Sequence, residues 1–155
     1  MHLINNDLEL GIYQLTDVVK GLENSVALNK IFGNKLEAIL NTTVVNVVSK
    51  PWQIWVDREL KIITINRNYL SHTDTDTLYL DFIHEMVHLW QIANGKNVFD
   101  RSFSYVDAPT EIEAYRYTVE DAKRIGFSNI DIIDYLKVRW ISDQEHLRLV
   151  KAVME

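Results

Sequence analysis

From Leu78 to Ala93 the chain is apolar on almost every side, and no other stretch restricts the fold as strongly. The run is long enough for about four turns of helix, and a helix without a polar face has to be surrounded by other elements. Residues 71–77, SHTDTDT, offer several N-caps before it, and Gly95 offers a stop after it. The rest of the chain must supply the shell. With 155 residues, 47% of them hydrophobic, it can bury a core without disulfide or metal staples. No linker, repeat or low-complexity segment interrupts it, so one domain over 1–155 is expected.

Leu8, Ile12, Leu15, Val19 and Leu22 recur at helical spacing, with Gly21 as a stop, which predicts a first amphipathic helix. A second is expected from Ser25, carrying Leu28, Ile31, Phe32, Leu36, Ile39 and Leu40, although Gly33 inside it costs about 1 kcal/mol relative to Ala. TTVVNVV (42–48), WQIWVD (52–57) and LKIITIN (60–66) are short, β-branched and aromatic, and predict three strands in an antiparallel meander. Further helices are expected from Thr110 to about Ile125, from Asn129 to about Trp140, and from Asp143 onward. Each opens with capping-box spacing: Thr110 to Glu113, Ser128 to Asp131, Ser142 to Glu145. The fold class is α+β, a small antiparallel sheet of three strands or more with packed helices around a buried one.

Inside the buried helix stands His84-Glu85-Met86-Val87-His88, an H-E-x-x-H pattern. Histidines four apart lie one turn above each other, so both imidazoles can reach one metal ion. Glu85, offset by about 100°, stands beside the ligands, where a carboxylate can hold and deprotonate a water that the metal activates. That is the chemistry of hydrolysis by Zn2+. Chance supplies about 0.01 such matches at this composition, and on an otherwise apolar helix two histidines and a glutamate need a polar reason to be buried, metal binding or else hydrogen bonds within a core.

Composition removes several alternatives. Zero cysteines exclude thiol catalysis and all cysteine-based metal sites. Sixteen basic against 22 acidic residues, with no basic run, disfavour nucleic acid as a partner. No apolar run reaches the ~18 residues of a membrane span and the first residues lack the pattern of a secretory signal, so no membrane association and a cytoplasmic location are the default expectations.

Zinc needs a third protein ligand. Beyond His88 the sequence offers Glu111, Glu113 and His146. On a helix, Ile112, Tyr115, Val119 and Ala122 form an apolar stripe; Glu111 lies about 60° from its centre and Glu113 about 140°. Glu111 can therefore face the interior, whereas Glu113 joins a charged outer face and is spaced to cap Thr110. Glu111 is the preferred ligand, with His84 and His88. Trp52, Trp55, Trp90 and Trp140 are expected in the core, and His2 and His72 in solvent.

HEMVH followed by Glu-x-x-Ala at residues 111–114 resembles the gluzincin type of zinc metallopeptidase, whose third ligand is a glutamate on a later helix. The order of helices, sheet, motif helix and glutamate helix is similar to a minimal zincin scaffold over most of residues 8–125. Around the motif helix the chain also resembles SprT-like proteins. Those use a third histidine soon after the motif, and none occurs from Leu89 to Glu145. The gluzincin resemblance implies a zinc-dependent peptidase acting on a peptide or protein substrate, with Glu85 as general base. It also implies a His or Tyr that stabilises the oxyanion; Tyr105, Tyr115 and His146 are the candidates, Tyr115 standing where many gluzincins place an aspartate that orients a ligating histidine. An edge strand bordering the cleft is implied too, with LKIITIN as the candidate. A zinc-binding module without turnover, working as an interaction or regulatory protein, would carry the same residues, and a metal-free interaction domain remains the third reading.

Overall fold

A computed structural model describes residues 2–58 and 62–155. In chain order its elements are β1 (Leu3–Ile4), β2 (Gly11–Gln14), α1 (Leu15–Val18), β3 (Val19–Lys20), α2 (Val26–Phe32), α3 (Leu36–Thr42), β4 (Val44–Val48), β5 (Ile54–Val56), β6 (Ile63–Asn66), α4 (Arg67–His72), α5 (Thr75–Ala93), α6 (Pro109–Arg124), α7 (Asn129–Tyr135) and α8 (Asp143–Met154). The architecture is α+β. Among the described residues no helix is long and apolar enough to cross a membrane.

The buried helix is α5. The Asp74 carboxylate caps it by accepting from the Thr77 amide, and Leu78, Tyr79, Leu80, Phe82, Ile83, Met86 and Val87 are all fully buried. It packs against α6, α2 and β5. Four strands form the main sheet in the order β2-β4-β6-β5; β4 and β6 run parallel, and the other two pairings are antiparallel. The expected meander is therefore corrected. The strand after β4 does not pair with it but crosses to the far side of β6, and β6 fills the gap. Central placement buries Ile63, Thr64 and Ile65 in succession, the continuous burial of a strand covered on both faces. Residues 60 and 61 of the LKIITIN segment lie outside the described residues.

The N-terminal helix expected from Leu8 is also corrected. Gly11–Gln14 is an edge strand on β4, and only Leu15–Val18 makes a helical turn before Val19–Lys20 pairs with β1. Gly21, with φ of +100°, turns the chain rather than ending a helix. The second helix divides at Gly33, whose φ of +56° an α-helix cannot hold, into α2 and α3. Ser128–Asp131 and Ser142–Glu145 do form capping boxes, although α7 ends at Tyr135, short of Trp140.

Asp121, in the last turns of α6, is fully buried and binds four donors. These are Ser25 Oγ (2.7 Å), the amides of Val26 (3.0 Å) and Ala27 (3.1 Å) at the start of α2, and Arg124 Nε (2.8 Å). Arg124 also donates to the Tyr79 hydroxyl (2.7 Å), which donates to the Gly21 carbonyl (2.6 Å). A carboxylate at exposed amides of a helix N-terminus satisfies donors that the helix itself cannot. Here it joins α6 to α2 and α5.

Candidate metal centre

The 3.6-residue period of α5 sets His84 and His88 on one face, with ring centroids 4.6 Å apart. His84, Glu85 and His88 are 5%, 7% and 5% exposed, and donor atoms of the three lie within 4.8 Å of one another, a group that could hold a metal ion. Glu111 reaches the same point from the first turn of α6. Its Oε1 lies 3.0 Å from His84 Nε2 and 3.3 Å from His88 Nε2, and its Oε2 lies 3.2 Å from His88 Nε2. Two imidazole nitrogens and a carboxylate converging in a buried place form a nitrogen and oxygen donor set that suits a divalent transition metal. The buried Nδ1 of His84 has no hydrogen-bond partner among the described residues.

Glu113 points elsewhere. It accepts from Gln91 Nε2 (2.9 Å) and Lys96 Nζ (2.8 Å), not from a capping partner at Thr110. The expected Thr110–Glu113 box is absent because Pro109 takes the first helical position, which makes Ala108 the N-cap and puts Thr110 inside the first turn.

Burial shapes the electrostatics. It pushes Glu85 up to about 8, the nearby charge of His88 opposing and that of Glu111 adding. It pushes His84 below the usual histidine range. For His88 burial is outweighed by the Glu111 carboxylate, which raises it to about 9. Glu111 is held well below the carboxylate range, because the charge of His88 and hydrogen bonds from both imidazoles overcome the cost of burial.

These side chains line a cavity of about 840 Å3. Ile54, Trp55 and Val56 of β5 form one wall, so the sheet edge beside the centre is β5 and not the LKIITIN strand, which is paired on both sides. The Tyr115 ring packs against His84 at a 46° tilt with centroids 4.2 Å apart, and its hydroxyl lies 2.6 Å from that of Tyr105. Burial raises both phenols well above 10, so both remain protonated donors. His146 is not brought to the cavity; its Nε2 contacts the Ile133 carbonyl. Of the four tryptophans expected in the core, only Trp90 packs against it, partly buried. Trp52 and Trp140 are 66% and 53% exposed, and Trp55 and Trp140 line the cavity. His72 is exposed as expected, whereas His2 is half-buried, stacked on Tyr79 and bonded to Asp76 (2.7 Å).

Sequence reasoning passed over Asp81, Tyr69, Tyr135 and Gln91. Asp81 lines the cavity and accepts hydrogen bonds from Tyr69 and from Tyr135 (2.9 Å), while burial pushes its carboxyl up to about 7. Gln91 Oε1 lies 2.7 Å from His88 Nδ1. Asp81 and Gln91 stand three residues before His84 and three after His88, a spacing that places each one turn from the motif. No protein-family model, curated protein or solved structure matches the chain.

Proposed function

We propose that the chain is a zinc-dependent peptidase with a gluzincin-like centre, in which His84, His88 and Glu111 hold the ion. The observation that carries this reading is the approach of the Glu111 carboxylate to Nε2 of both motif histidines, with Glu85 in the same buried group. Zinc bound there supplies a Lewis acid that polarises the scissile carbonyl and makes a nearby water easier to deprotonate. Glu85, ionised where the charge of a bound dication offsets the burial that pushes it up, takes the proton of the attacking water on a carboxylate oxygen and delivers it to the leaving amine. The Tyr115 hydroxyl, kept protonated and paired with Tyr105, donates a hydrogen bond to the developing oxyanion. An extended peptide can add to β5, which is the edge strand of the sheet among the described residues and lines the cavity.

Metal quantification of purified protein, followed by cleavage of an unbiased peptide pool, tests the reading. One zinc per chain and cleavage at internal bonds are expected. Zinc without cleavage would leave a binding module, and absence of zinc would remove the site. The ligand assignment has its own test. Glu111→Gln replaces an anionic donor by a neutral amide oxygen and should lower zinc affinity strongly, whereas Glu113→Gln should leave zinc in place and shift stability by less than ~1 kcal/mol. Zinc titrated into the two variants side by side decides, and release of metal by Glu113→Gln would overturn the assignment.

A further inference from the structure

We infer that Gln91 is the positioning residue of the centre: its amide oxygen accepts a hydrogen bond from Nδ1–H of His88, which keeps the proton on Nδ1 and leaves Nε2, the nitrogen beside Glu111, as the one that can ligate a metal. The inference rests on the metal-site reading above. Which end of an amide is oxygen follows from its neighbours, and here they leave one answer. Gln91 is fully buried on α5. One end of its amide lies 2.9 Å from the Thr110 carbonyl and 2.9 Å from Glu113 Oε1, and both of these only accept. The NH2 group must occupy that end, so the oxygen occupies the other, 2.7 Å from His88 Nδ1. Turning the amide over would set its oxygen against two acceptors. With an oxygen opposite it, Nδ1 has to carry hydrogen, so Nε2, which donates to Glu111 when no metal is bound, is the nitrogen that gives up its proton and offers a lone pair to a metal.

The anchor extends to the surface, since Lys96 Nζ donates to the same Glu113 oxygen at 2.8 Å. One turn of α6 thus does two things. Glu111 enters the centre, while Thr110 and Glu113 hold the amide that orients His88. His84 lacks such a partner; its Nδ1 is unbonded, and the Tyr115 ring packs against it. The two imidazoles are therefore held in different ways, one by a hydrogen-bonded amide and one by packing.

Zinc affinity measured by competition with a chromophoric chelator, combined with nitrogen-15 NMR of the histidines in zinc-loaded protein, tests this. The parent should show His88 metallated at Nε2, with a slowly exchanging proton on Nδ1. Gln91→Met, which keeps length but offers no acceptor, should bind zinc about 10- to 100-fold more weakly and lose that protected proton. Gln91→Glu keeps an acceptor opposite Nδ1 and should retain the proton signal, while losing stability because its second oxygen faces the Thr110 carbonyl and Glu113. A merely structural role would lower stability without changing the Nδ1 signal. The inference is overturned if the parent binds zinc through His88 Nδ1, or if Gln91→Met matches the parent in both affinity and signal. A parent that binds no zinc overturns the metal-site reading along with it. The parent spectrum alone decides the tautomer should a variant not fold.

Discussion

Glu85→Gln should retain one zinc per chain and lose peptide cleavage by about 10²- to 10⁴-fold. The substitution keeps the shape of a side chain that is only 7% exposed, so packing around it survives. An amide still accepts and donates hydrogen bonds and can hold a water in position. It cannot take a proton, and that step is the one assigned to Glu85. Stability should fall little, because the variant removes a carboxyl that burial already opposes ionising. The measurement is the rate on whichever peptide the parent cleaves fastest, at equal zinc content. A variant that cleaves as fast as the parent would show that another group is the base.

Asp121→Ala should cost about 3–5 kcal/mol of folding stability, the largest loss expected from a residue outside the candidate metal centre. The carboxylate is fully buried and serves Ser25 Oγ, two amides of α2 and the Arg124 guanidinium. Alanine would leave all four without that partner, and a buried donor without an acceptor loses more than a hydrogen bond is worth on balance. Asp121→Asn keeps one acceptor oxygen and should lose less, about 1–3 kcal/mol. Urea unfolding of the three proteins reads the difference. A loss below ~1 kcal/mol in Asp121→Ala would mean that water replaces the carboxylate at the start of α2.

What could be anticipated from the chain followed how local the determining forces are. The motif helix, its start within SHTDTDT and the capping boxes at Ser128 and Ser142 depend on residues within a turn or two of one another, and each is present. The region from Leu8 to Leu22 fits helical spacing equally well, yet Gly11–Gln14 pairs with Val44–Val47, some thirty residues away. Ile12, expected on the apolar face of that helix, is 66% exposed on the edge strand. Strand order was beyond reach for the same reason: β4, β5 and β6 are legible as strands, but nothing near them says that β4 and β6 pair in parallel. In the candidate site, the angular argument separated Glu111 from Glu113, and the structure sets the first against both imidazoles and the second against Gln91 and Lys96. Tyr69 and Tyr135 reach Asp81 from α4 and α7, an approach that only packing determines.

The helix that brings Glu111 to the motif is held at its other end by the Asp121 clamp on α2. Its sixteen residues span about 24 Å. A ligand that binds only the folded arrangement slows every opening that disrupts its site, by a factor set by its concentration over its dissociation constant. Where openings that detach α6 from α2 as a unit also pull Glu111 from the histidines, the amides of Val26 and Ala27 share a cooperative unit with the centre. Saturating zinc should therefore slow hydrogen exchange at the start of α2, although α2 contributes no residue to the cavity. Strand β2 sits on the outer edge of the sheet and can open without moving α6, and its exchange should be unchanged by the metal.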